Sequence, residues 1–215
     1  FYLRCSIPCY KNIIDTGLPF VFFDRCIENI GASCVTVNDY NSSKEITEHL
    51  IGHGYKTFAH LRGPEDVAIA QKRKKGFLDA LADHEIPVNE QLIEESGFNE
   101  KGGYNAMCHI LEAAGTEPPR AVVAVNDPAA FGAMKAIKEK GLSIPDDIAI
   151  VGFSDDIRSE IIQTPLTTVR QPAFQIGKRA AQKLIDTIDN KNEPIATIEL
   201  KNEIVIRQSC GCLPG

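Results

Sequence analysis

Polar residues follow directly on apolar runs at three places in the chain. Phe20–Phe23 (FVFF) leads into Asp24 and Arg25, Ala121–Val125 into Asn126 and Asp127, and the run IAIVGF into Ser154, Asp155 and Asp156. Carboxylates and carboxamides present paired hydrogen-bonding groups in one plane, which suits adjacent hydroxyls of a sugar or the edge of a base. A single Asp or Asn in such a place caps the next helix as readily as it binds a ligand. Three strand ends together favour a site.

A second candidate lies in the basic run Lys72-Arg73-Lys74-Lys75. At about 100° per residue, Arg73 falls inside the stripe of Ile69, Ala70, Phe77, Ala80 and Leu81, whereas the three lysines point away as a solvated face. A guanidinium on a largely apolar face needs a partner, either a carboxylate or a bound polar ligand.

Other groupings carry less. His49 and His53 are spaced i, i+4 as metal ligands can be, but there is no HExxH pattern and no evident third ligand. Cys5-x3-Cys9 and Cys210-x-Cys212 offer thiol pairs near the chain ends; their spacings match no common zinc motif, so no metal is expected. Ser154 lacks the second glycine of a nucleophile elbow. Neither GxGxxG nor GxxxxGK[ST] occurs, so no cofactor cradle is expected. Phe98 follows a strand end and can cover a sugar face, although a phenylalanine ordinarily packs in a core.

The elements that position these residues alternate as strand and helix, the pattern of βαβ units and a parallel sheet. Strands are expected at Phe20–Phe23, Cys34–Val37, Thr57–Leu61, Leu92–Ser96, Ala121–Val125, Ile148–Val151 and Glu203–Arg207. FVFF, AVVAV and IAIV are apolar throughout, as in strands covered on both faces. Ser42 with Glu45 reads as a capping box before Ile46, Leu50 and Ile51, with Gly54 after the last turn. Gly141 and Pro145 close the helix that begins near Asp127, and Pro172 opens one running to about Ile188.

With 215 residues, 43% hydrophobic and 24% charged, the composition excludes a disordered, collagen-like or coiled-coil chain. No apolar run approaches a membrane span, so no membrane partner is expected. The net charge of −6 makes this stretch a poor binder of phosphate backbones, so DNA contact would need another domain. Seven cysteines, an odd number without a regular framework, fit free thiols in a reducing cytoplasm.

From about Gly17 onward the chain resembles the effector-binding region of bacterial LacI-type (lactose repressor family) transcriptional regulators. The resemblance rests on GLPFVFFDR (17–25), NSSKEITEHLIGHGYKTFAHLRGP (41–64), KGFLDAL (75–81), VNDPAAFGAMKAIKEKGLSIPDDIAIVGFSDD (125–156) and PLTTVRQPAFQIGKRAAQKL (165–184). It implies a two-lobed, periplasmic-binding-protein-like α/β fold with parallel sheets flanked by helices and a ligand between the lobes. One lobe would hold residues 1–36 and 171–198, the other 37–170 and 199–215. The N-terminal lobe would be incomplete and the helix-turn-helix head would lie outside this stretch.

By position, the resemblance assigns ligand contact to Asp24, Thr36, Ile69, Arg73, Phe98, Asn126, Ser154 and Gln171, and a dimer contact to Phe131. Ser154 stands where several members carry a ligand-binding aspartate, and Ala173 where some carry an aromatic. The function implied is a cytoplasmic, homodimeric, non-catalytic sensor that reaches operator DNA only through the head. A neutral sugar suits its mixed polar set best and a purine second. A periplasmic sugar-binding protein of a transport system is the competing reading. An enzyme would need a nucleophile with its base, or a cofactor cradle, and the sequence offers neither.

Overall fold

A computed structural model describes residues 13, 15–27, 31–190 and 192–212. Cys5 and Cys9 lie outside the described residues. The chain divides into two compact units, one running through Val37 and including Pro172–Lys201, the other Asn38–Gln171 with the segment from Asn202. The division differs from the expected boundaries at each crossing. Gln171 belongs to the larger unit, and residues 199–201 to the smaller, because Glu199 and Leu200 continue a strand paired with Thr36 and Val37.

The smaller unit holds a three-stranded parallel sheet in the order β1 (Val21–Phe23), β2 (Ser33–Val37), β8 (Thr197–Leu200). The long helix Ala173–Asp189 (α6) packs Ile176 and Ala180 against Val35 and Val37. FVFF departs from the expectation for a doubly covered strand, since Phe23 is exposed. Cys26 and Cys34 are joined as a disulfide where free thiols were expected.

The larger unit is built on six strands in the order β4 (Ile93–Glu95), β3 (Phe58–Arg62), β5 (Ala121–Ala124), β6 (Ala149–Ser154), β7 (Thr167–Arg170), β9 (Glu203–Val205). All neighbours are parallel except β7 and β9. β5 is buried at every position and β6 at all but Ser154, as continuous apolar runs between two helical layers should be. Helices α1 (Asp39–Gly52) and α2 (Ala68–Asp83) cover one face; α3 (Glu100–Ala114) and α4 (Asp127–Glu139) pack together on the other.

Two helix starts show what the sequence signals meant. α4 is capped by Asn126, whose Oδ1 accepts from the Ala129 N–H at 3.0 Å, and Pro128 occupies its first turn. α1 does not start at Ser42. Asn38 caps it, accepting from Asn41 N–H at 2.8 Å, while Ser42 is buried one turn inside and accepts from Asn202 Nδ2 at 2.9 Å. A serine three residues before a glutamate mimics a cap, but the real one lies a turn earlier.

Candidate functional site

In open parallel sheets ligands bind outside the carboxyl ends of the strands. In the larger unit those ends carry Phe98, Asn126 and Ser154, with Ile69 and Arg73 on α2. Arg73 is 5% exposed, and its partner is a carboxylate. Nε donates to Asp39 Oδ1 at 2.8 Å, Nη2 stands 2.7 Å from the same oxygen, and Nη1 donates to the Val125 carbonyl at 2.7 Å. The guanidinium lies over the Phe153 ring, 3.6 Å from its centroid. Asp39 is itself buried at the start of α1, where the helix N-terminus also favours a negative charge. Of the neighbouring lysines, Lys72 and Lys75 are exposed and Lys74 is half-buried.

These contacts link the strand ends into one surface. Asn126 Nδ2 donates to the Phe98 carbonyl at 3.1 Å, next to the residue whose carbonyl receives Arg73. A primary amide has two N–H groups and two lone-pair sites, and each side of Asn126 spends one within the protein. Phe98 is partly buried against the core, and a Cβ on Gly63 would meet Ala70 Cβ at 2.7 Å and Phe98 Cζ at 2.9 Å, so a glycine there makes room for the edge of the ring. Ile69 is half-buried one turn before Arg73.

The end of β6 is strained. Ser154 has φ 115° and Asp155 φ 56°, values that L side chains rarely adopt. Three carboxylates hold the turn. Asp155 binds Arg170 at 2.6 Å and Arg207 at 2.8 Å; burial works to raise its carboxyl, and the two arginines overcome that and leave it below the ordinary range. Asp156 pairs with Arg158 at 2.8 Å. Asp127 is fully buried and accepts from Thr168 Oγ1 at 2.6 Å, Asp156 N–H at 2.7 Å and Ser159 Oγ at 2.9 Å. Burial pushes its carboxyl upward against the pull of those bonds. The acids beside Asn126 and Ser154 are therefore spent on the scaffold.

The remaining expected residues are distributed as follows. Asp24 and Thr36 belong to the smaller unit. Asp24 ends β1 with φ 62°, and its carbonyl accepts from Thr36 Oγ1 at 3.2 Å. Gln171 is the last residue of the larger unit before the chain crosses, and is half-buried. Phe131 is partly buried against the core of its own unit, with the Arg158 guanidinium 4.7 Å from its centroid. Together with Met134, Lys135, Lys138, Glu139 and Ile162 it lines a surface groove of ≈ 300 Å³.

Sequence reasoning missed His60. It is fully buried on β3, its Nδ1 lies 2.8 Å from the Val123 carbonyl, and its ring stacks on Phe77 at 4.7 Å. Burial lowers its pKa to about 4. A histidine in the apolar run FAHLR was the available signal.

The chain thus forms two α/β units, the larger doubly wound with polar residues at the carboxyl ends of its strands. A family model for the periplasmic binding protein-like domain matches residues 47–210. The probable HTH-type transcriptional repressor ExuR of Bacillus subtilis is 34% identical over 92% of this chain and 59% of its own length. The HTH-type transcriptional repressor PurR of Pasteurella multocida is 34% identical over 97% of this chain and 61% of its own. A solved LacI family transcriptional regulator from Enterococcus faecium, with bound ribose, superposes with a TM-score of 0.87 at 28% identity, over 95% of this chain and 75% of that one. The chain belongs to the periplasmic-binding-protein-like domain family, in the form carried by LacI-type transcriptional regulators. It spans about three fifths of the length of the curated relatives it matches.

Proposed function

We infer that this chain is the small-molecule-sensing part of a cytoplasmic, homodimeric bacterial transcriptional regulator, without catalytic activity, whose effector is a neutral sugar. In the larger unit the ligand-facing role falls to Ile69, Phe98, Asn126, Ser154 and Gln171, with Arg73 behind them. In the smaller unit it falls to Asp24 and Thr36. Occupancy would be relayed to operator DNA through a helix-turn-helix head in the full-length protein.

The observation that carries this reading is electrostatic. The charges nearest Asn126 and Ser154 already have partners: Arg73 has Asp39, Asp155 has two arginines, and Asp156 has Arg158. A phosphorylated or strongly cationic ligand would need surplus charge of the opposite sign. Hydroxyls need the unspent half of an amide, a serine and an aromatic face, which Asn126, Ser154 and Phe98 supply. The ribose held by the Enterococcus faecium neighbour supports the same class of ligand.

A thermal-shift panel of neutral sugars, sugar phosphates and purines on the full-length protein tests the reading. At a hundredfold excess over Kd a true effector stabilises by about 2.7 kcal/mol. A response to neutral sugars that Asn126→Ala diminishes is expected. Stabilisation by purines or phosphates alone would overturn the assignment.

A further inference from the structure

At the amino ends of the same sheet two groups left unconnected by the sequence meet. His49 and His53 sit on the last turn and the C-cap of α1, their rings 4.7 Å apart. Cys210 ends the 3-10 turn Gln208–Cys210 and Cys212 follows two residues on. His49 Nε2 lies 3.5 Å from Cys210 Sγ and 3.4 Å from Cys212 Sγ, and His53 Nε2 lies 2.8 Å from Cys212 Sγ. The donor atoms of His49, Cys210 and Cys212 all fall within 4.8 Å of one another. The segments that supply them are 161 residues apart in sequence.

We propose that His49, His53, Cys210 and Cys212 form a tetrahedral site for a zinc(II) ion. With bonds of about 2.0 Å to nitrogen and 2.3 Å to sulfur, tetrahedral angles place a nitrogen and a sulfur about 3.5 Å apart. Both His49 distances match that edge. His53 touches Cys212 but falls outside the mutual 4.8 Å cluster of the other three, so its exposed ring must turn toward them to complete the set. Two imidazoles and two thiols suit zinc rather than calcium or magnesium, which prefer oxygen. Loss of the two thiol protons on binding gives two thiolates that cancel the ion's charge, so a half-buried complex carries no net charge.

The surroundings hold the cysteines in place. Gly211 has φ 86°, which folds Cys-x-Cys back so that both sulfurs face α1, and a Cβ there would come within 2.7 Å of the Tyr55 hydroxyl. Tyr55 Oη donates to the Cys210 carbonyl at 3.2 Å, and Thr167 Oγ1 lies 3.1 Å from Cys210 Sγ. Four protein ligands leave no open position, so the ion's role is structural. It pins the segment from Gln208 to Cys212 to α1.

The test uses reduced, metal-stripped full-length protein titrated with zinc against a chromophoric chelator, and with cobalt(II) as a spectroscopic substitute. One equivalent per chain is expected. Cobalt should give intense tetrahedral bands with thiolate-to-metal charge transfer, which zinc displaces, and zinc should raise Tm. His53→Gln and Cys212→Ser should each weaken zinc binding at least about tenfold, of the order lost when a metal site's supporting groups are removed. Since His53 is exposed, its variant should stay folded by circular dichroism. Cys108→Ser should leave the affinity unchanged. Substoichiometric binding, a cobalt spectrum without the charge-transfer band, or affinity retained in both ligand variants would overturn the proposal.

Discussion

The two ends of the six-stranded sheet handle polar side chains in opposite ways. At the carboxyl ends Arg73 is buried beside Asp39, the more exposed Arg158 and Arg170 are paired with Asp156 and Asp155, and an amide, a hydroxyl and an aromatic ring stand among these pairs. At the amino ends no carboxylate appears among the clustered groups, and imidazoles and thiols lie against one another. The first arrangement suits the neutral effector proposed above, held through directed hydrogen bonds. The second matches a soft or borderline metal ion, whose own charge completes it. One sheet thus offers two unlike sets of groups, separated by the length of its strands.

The largest effect that separates these ends should come from Arg73. Arg73→Ala leaves Asp39 buried without its partner and should cost about 3–5 kcal/mol in urea unfolding, far beyond any change in ligand affinity alone. Arg73→Met with Asp39→Leu should recover much of that loss, because an apolar pair removes both desolvated charges. A loss below about 1 kcal/mol for Arg73→Ala would mean the pair is solvated.

Midway along the sheet, His60 should make stability depend on acid. Its folded pKa of about 4 lies below the unfolded value of 6.5, so the unfolded chain takes up the proton first. Stability is therefore full above pH 6.5 and falls as pH drops toward 4, by about 3 kcal/mol at most. Urea midpoints between those pH values should fall for the wild type, and His60→Leu should remove that component of the slope.

Smaller effects sharpen the carboxyl end. Asn126→Ala should cost about 1 kcal/mol through the lost cap of α4, with a further loss of sugar response that a cap alone would not produce. Lys72→Gln with Lys74→Gln should change stability by less than about 0.5 kcal/mol and leave the sugar response intact. Equal loss of ligand response in the lysine and Asn126 variants would erase the distinction between a solvated face and a binding surface.

How much the sequence revealed follows the range of each signal. The βαβ alternation and buried runs such as AVVAV were readable because their periodicity is local. β7 was missed because two of its three buried residues are Thr167 and Thr168, polar side chains that enter the core with their partners: Thr168 on Asp127, and Thr167 accepting from the Arg207 N–H. β8 was missed because TIEL alternates weakly and gains its identity by pairing with β2. Arg73's need for a partner was readable from the helical stripe, but its choice of Asp39, 34 residues earlier, was not. The His and Cys pairs were each visible as half a ligand set. Only folding joins chain positions so far apart.

The most direct test of the two-ended account is calorimetric titration of the full-length protein with zinc and, separately, with the sugar that stabilises it most. Wild type, Asn126→Ala and His53→Gln are compared. The account predicts that Asn126→Ala weakens the sugar and leaves zinc untouched, while His53→Gln weakens zinc and leaves the sugar untouched. Loss of both ligands in either variant would contradict it.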